Sequence, residues 1–174
     1  MPPERDPDSL ARSVALRQLA AAPRSRAQLG AALARRGVPE DVVERVLDRF
    51  AEVGLVDDVA YAELLVRSRH TGRGLSRRAL ARELHAKGIS REVAEGALAG
   101  IDGEDERRAA RALVARRVAA TAGMEPRRRR RRLVEMLARR GYSPSAAAAA
   151  VEEVLARTGE EGGWAPTDLE ADGP

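Results

Sequence analysis

The chain reads as an all-α protein made of three tandem three-helix, helix-turn-helix-like repeats in an elongated or curved array. Three observations predict this. A single phrase recurs at a spacing of about fifty residues, the mark of a repeat architecture: RAQLGAALARRGVPEDVVERVL around Leu29, RRALARELHAKGISREVAEGAL around Leu80 and RRRLVEMLARRGYSPSAAAAAV around Leu133. Leu29, Leu80 and Leu133 coincide, as do Leu33, Leu84 and Leu137, then Gly37, Gly88 and Gly141. Apolar residues follow helical spacing throughout, and no segment alternates with the period of two that a strand requires.

The first repeat, residues 9 to 54, follows a Pro-rich lead over residues 1 to 8. Ser9 is read as the cap of a helix carrying Leu10, Val14, Leu16 and Leu19, which Pro23 ends. Ser25 caps a second helix with the stripe Leu29 and Leu33, and Gly37 terminates it. Pro39, at a first helical position, opens a third helix bearing Val42, Val43, Val46, Leu47 and Phe50.

Residues 55 to 103 form the second repeat. Asp57 or Asp58 accepts the free N–H groups of a helix over about 59 to 70, which Thr71 to Gly74 breaks. Ser76 and Ser90 cap the next two helices. The third repeat, 104 to 157, starts near Asp105 and Glu106, breaks at Gly123, resumes with Pro126 in a first turn and ends with a helix from Ser143 containing five alanines. Residues 158 to 174 are acidic, rich in Gly and Pro and aperiodic, which predicts a disordered tail.

Composition restricts the chemistry. Cysteine is absent, so neither disulfides nor thiolate metal sites arise, and a reducing, cytoplasmic setting is expected. No run is long and apolar enough for a membrane span or a signal peptide, so no membrane partner is expected. The four aromatics, Phe50, Tyr61, Tyr142 and Trp164, leave a core of Leu, Val and Ala and offer few platforms for stacking bases. Charge is concentrated: residues 107 to 140 hold thirteen arginines against Glu125 and Glu135, a local net of +11 in a chain whose total is +4.

No catalytic constellation assembles from these residues. His70 and His85 lie outside metal-ligand spacing, Asp57 and Asp58 read as helix-start acceptors, and Gly72 to Gly74 lacks the rest of a phosphate loop. No catalytic residue, cofactor or metal is expected. Binding is better supplied. Arg26, Arg77 and Arg130 occupy one repeat position near the positive end of a helix dipole, where a cation is mildly unfavourable and an outside anion would relieve it. Arg36, Lys87 and Arg140 stand at helix C-ends, where the dipole alone accounts for a cation. The run Arg127, Arg128, Arg129, Arg130, Arg131 and Arg132 turns through about 500° of helix, so it cannot face one side.

The segment GLVDDVAYAELLVRSR, Gly54 to Arg69, resembles the best-known segment of the RecX family of RecA regulators, an acidic helix start followed by an aromatic, an alanine and a basic end. Gly74 to Leu98 resembles the family's next segment. The resemblance covers about residues 10 to 155, departing at Leu65, where the family usually has a second aromatic, and at Ala146 to Ala150, which replace mixed apolar residues. It implies a non-enzymatic monomer that lies in the helical groove of the RecA filament on single-stranded DNA. Such a protein inhibits RecA ATP hydrolysis, strand exchange and co-protease activity, and so modulates recombinational repair and the SOS response. The candidate contact residues, chosen for their clustering near the Gly-rich break and the first turn of each second helix, are Arg67, Arg69, Arg73, Arg77 and Arg78 in the second repeat, Arg26 in the first and Arg127 to Arg132 in the third, meeting acidic RecA surface or DNA phosphate, with Tyr61 either facing the partner or anchoring its helix in the core. A basic helical module that binds DNA without RecA, and a scaffold for another acidic protein, are the competing readings.

Overall fold

A computed structural model describes residues 6 to 158. Among them lie nine helices and no strand: α1 (Pro7–Ala21), α2 (Arg26–Ala34), α3 (Glu40–Glu52), α4 (Asp58–Arg73), α5 (Arg77–Ala86), α6 (Arg91–Leu98), α7 (Gly103–Val118), α8 (Pro126–Ala138) and α9 (Pro144–Arg157), with one 3-10 turn, Ala119–Thr121. The tail predicted to be disordered lies outside the described residues beyond Thr158, as does Trp164.

Local chemistry sets the helix ends. Ser25 Oγ accepts from the Gln28 N–H at 3.2 Å while the Gln28 side chain returns a bond to the Ser25 N–H, a complete capping box. Ser76, Ser90 and Ser143 cap α5, α6 and α9 through the N–H groups of Ala79, Val93 and Ala146. Elsewhere the starts differ from the sequence reading. Asp6, not Ser9, caps α1, so Pro7 and Asp8 of the expected lead are helical. Pro39 sits at the N-cap of α3 rather than inside it. α4 continues to Arg73, one turn past the expected end, and stops where Gly74 takes a positive φ of 62°.

Contacts group the chain into two compact units. One comprises the residues up to Val66 with Ala81–Leu98, the other Arg67–Leu80 with the residues from Ala99 onward. In the first, Val14, Leu29, Leu33, Val42, Val43, Val46, Leu47 and Phe50 form a core between α1, α2 and α3. In the second, Val114, Leu133, Leu137, Tyr142, Val151 and Leu155 join α7, α8 and α9. Each fully buried leucine contributes about 1.5–3 kcal/mol. Small residues on α9, Ala147 and Ala150, are buried and let it approach α7 and α8 closely.

The adjacent Asp57 and Asp58 divide their work. Asp57 accepts from the Ala60 N–H at 2.9 Å and caps its own helix, whereas Asp58 reaches the Arg26 N–H at the start of α2, 2.8 Å away. Within the second unit Glu106 does the same for α5, accepting from the Arg77 N–H at 2.8 Å. A carboxylate from the next repeat thus satisfies a first-turn donor and complements the helix dipole. Serines complete both joints: Ser25 Oγ donates to the Lys87 carbonyl at 2.6 Å, and the Ser76 N–H donates to the Arg140 carbonyl at 3.0 Å.

The Tyr142 hydroxyl donates to the Gly74 carbonyl at 3.1 Å in a buried setting. Burial, reinforced by the Glu106 carboxylate and opposed by Arg140, pushes its phenol from 10.0 up to about 12. The folded chain therefore keeps the proton at pH values where the unfolded chain loses it. This contribution to stability is full below pH 10 and is lost as pH rises through about 12. Tyr142→Phe should cost about 1–2 kcal/mol at neutral pH, because the Gly74 carbonyl loses its donor. It should also flatten the alkaline fall in urea-unfolding free energy over that interval, and an unchanged alkaline profile would rule out Tyr142 as its source.

Candidate anion-binding surface

The run of arginines on α8 splits between interior and surface. Glu125 caps the helix through the N–H groups of Arg127 and Arg128, at 3.0 and 2.9 Å, and these amide bonds hold its carboxyl below the usual range. Arg129 is only 4% exposed, its Nε donating to Thr121 Oγ1 at 3.1 Å and its second guanidinium nitrogen to the Val118 carbonyl at 3.0 Å. By repeat alignment it stands where Ser25 and Ser76 are buried, α8 having begun earlier. Arg130, 9% exposed, pairs with Glu152 on α9 at 3.0 Å. Arg131 pairs with Glu135, while Arg127, Arg128 and Arg132 are exposed.

The repeated first-turn arginines all find partners within the chain. Arg26 bonds Glu44 and Asp48 of α3 at 2.5 and 2.8 Å. Arg77 reaches the Ile101 carbonyl at 3.3 Å. Together with Arg130 and Glu152, these contacts tie the second helix of a repeat to a more C-terminal segment of the chain, so the position that disfavours a cation locally is compensated by tertiary partners. Tyr61 and Arg69 are half-buried and Arg67 and Arg78 exposed, on α4 and α5. His70 is half-buried, its Nδ1 3.0 Å from the Leu75 carbonyl. A carbonyl can only accept, so Nδ1 carries the proton.

One of the expected residues, Arg73, belongs to a groove that the sequence reading did not assemble. In the second unit a hollow of about 450 Å³ is lined by Arg73, Arg116, Arg117, Arg139 and Arg140, with Leu75, Leu113 and Met136 as its apolar wall and Gly72 at its edge. No carboxylate lines it. Arg140 is fixed by donating from Nε to the Arg73 carbonyl at 3.0 Å and from a terminal nitrogen to the Met136 carbonyl at 3.2 Å. A neighbouring hollow of about 370 Å³ shares Leu113 and Arg116, and there Arg108 is paired with Asp105.

Five guanidinium groups in one hollow repel one another unless an anion joins them. Arg116 and Arg117 end α7, Arg139 and Arg140 come directly after α8 and Arg73 ends α4, so each helix dipole offsets part of that repulsion. One cation per end suffices for the dipole. The sequence signal was the doublet at two helix ends of the third repeat, yet Arg35 and Arg36 carry the same doublet after α2, so the doublet alone does not identify a groove. Among the described residues no His, Asp or Glu cluster is suited to a metal, and no helix is long and apolar enough to cross a membrane.

Comparison with known proteins places these elements in a family. Family models of the RecX first, second and third three-helix domains match residues 11–50, 57–98 and 104–151. The chain is 50% identical over 123 residues to the Regulatory protein RecX of Streptomyces coelicolor, covering 71% of this chain and 65% of that protein. It is 54% identical over 113 residues to that of Thermobifida fusca, covering 65% of this chain and 61% of the relative. The match thus spans just under two thirds of these relatives' length. A crystal structure of RecX from Lactobacillus salivarius superposes with a TM-score of 0.73 at 21% identity, over 86% of this chain and 97% of that one. A second crystal structure of regulatory protein RecX gives 0.71 at 24% identity, over 85% and 72%. These two carry the fold alone; with three domain matches in order and half the aligned residues shared with named regulators, the chain belongs to the RecX family.

Proposed function

We propose that this chain is a non-enzymatic, monomeric, cytoplasmic regulator of RecA. It lies along the helical groove of the RecA filament on single-stranded DNA and inhibits ATP hydrolysis, strand exchange and co-protease activity, restraining recombinational repair and the SOS response. The observation that carries this reading is the ordered match of all three RecX domains over residues 11–50, 57–98 and 104–151. The distribution of arginines supports it. A polyanionic filament needs cations that are not spent internally, and Arg67, Arg73, Arg78, Arg127, Arg128 and Arg132 are exposed. Tyr61, Arg69, Arg77, Arg26, Arg129, Arg130 and Arg131 complete the candidate contact set, all by way of side chains that also interact within the chain.

Steady-state ATP hydrolysis by the cognate RecA on single-stranded DNA tests the reading. Addition of the protein well below one molecule per RecA protomer should inhibit turnover. Charge reversal at Arg127 and Arg128, whose side chains are exposed, should weaken that inhibition severalfold, since each phosphate contact contributes to affinity. Full RecA activity at saturating protein, with DNA binding intact, would instead favour the DNA-binding module that acts without RecA.

A further inference from the structure

We infer that the groove between the ends of α4, α7 and α8 holds the sugar–phosphate backbone of a single nucleic-acid strand, and that it does so without reading bases. The inference rests on the filament reading for its biological setting but not for its chemistry. The groove presents Arg73, Arg116, Arg117, Arg139 and Arg140 with no carboxylate in its lining. A track of one charge per nucleotide is the partner that matches a surface of one sign. An acidic protein patch is the competing occupant, since positive and negative patches pair across protein interfaces.

The walls agree. They are Leu75, Leu113 and Met136, with no aromatic ring on which a base could stack. At Gly72 an added Cβ would meet nothing within 4 Å, so the helix backbone itself lies open at the groove edge. Arg140 is held by two carbonyl oxygens before any ligand arrives. That fixation lowers the ordering cost of binding, and Arg is the side chain suited to bidentate phosphate contacts.

The test uses the full chain, a fluorescein-labelled oligothymidylate and a labelled polyglutamate of equal charge, each monitored by fluorescence anisotropy across a salt series without RecA. Arg116→Glu/Arg139→Glu removes two groove cations, and Arg35→Glu/Arg36→Glu makes the same charge change after α2. The groove variant should lose roughly tenfold or more in oligothymidylate affinity and lower the salt slope by about 0.7 per lost phosphate contact, the control much less. Arg116→Gln/Arg139→Gln should show the same ordering with a smaller loss and serves if the reversed variant fails to fold. Equal losses in groove variant and control would overturn the inference. So would a groove variant that keeps its oligothymidylate affinity but loses polyglutamate, which would assign the groove to an acidic protein. Because RecA is absent from this assay, failure of filament inhibition and failure of strand binding are separate results.

Discussion

Leu137→Ala is expected to lower the unfolding free energy by about 3–5 kcal/mol and the melting temperature by roughly ten degrees. Leu137 is fully buried in the core of α7, α8 and α9, against residues that include Val114, Leu133, Tyr142 and Val151. Removing its branched end costs the transfer of those methyls to water and leaves a cavity. The penalty should sit at the upper end because part of the facing helix is alanine. Ala147 and Ala150 have no rotamers with which to swing into the space, and their close approach leaves the backbone little room to settle. Leu113, only half-buried beside the same core, supplies the comparison, and Leu113→Ala should cost about 1 kcal/mol. Urea titration of both variants beside the parent protein measures the two losses. A Leu137→Ala loss no larger than that of Leu113→Ala would show that the third repeat collapses around the hole, and the close-packed account of α9 would be wrong.

The second large effect separates positions that the repeat makes equivalent. Gly37 and Gly141 both end a second helix with positive φ, 73° and 89°, where alanine costs about 1 kcal/mol on conformational grounds. Their surroundings differ. A Cβ on Gly37 meets nothing within 4 Å, whereas one on Gly141 would come within 2.6 Å of Ser76 Oγ and 3.1 Å of the Ala79 backbone nitrogen. The Ala79 N–H and Ser76 Oγ are the cap of α5, so neither moves without breaking that cap. Gly141→Ala should therefore cost about 3–4 kcal/mol, adding an overpacking penalty to the strain, while Gly37→Ala costs about 1 kcal/mol. Thermal melts of the two variants check the difference, and equal losses would mean the α5 joint yields without penalty.

Much of the fold was legible because its determinants are local. The stripes Leu29 with Leu33 and Leu133 with Leu137 arise from a period of 3.6, and Ser25, Ser76, Ser90 and Ser143 cap helices by bonding N–H groups three residues away. Where a boundary was misplaced, two local signals competed: Asp6 ahead of Pro7 outranked Ser9, and Gly72 was tolerated inside α4 until the positive φ of Gly74 stopped it.

The candidate surface was less legible, since the fate of an arginine depends on partners far along the chain. Arg26, Arg77 and Arg130 share one local environment, an unfavourable one, and composition offers any of them to an outside anion. The fold instead brings Glu44 and Asp48, the Ile101 carbonyl and Glu152 to them across eighteen to twenty-four residues. Arg73 and Arg140 lie sixty-seven residues apart and are bonded. By itself the sequence determined the helices, their repeat and the concentration of charge between residues 107 and 140, because periodicity, capping and composition act over a few residues. Only the tertiary structure decided which arginines are neutralised and which line one groove, because Coulomb interactions and hydrogen bonds act through space and ignore separation along the chain.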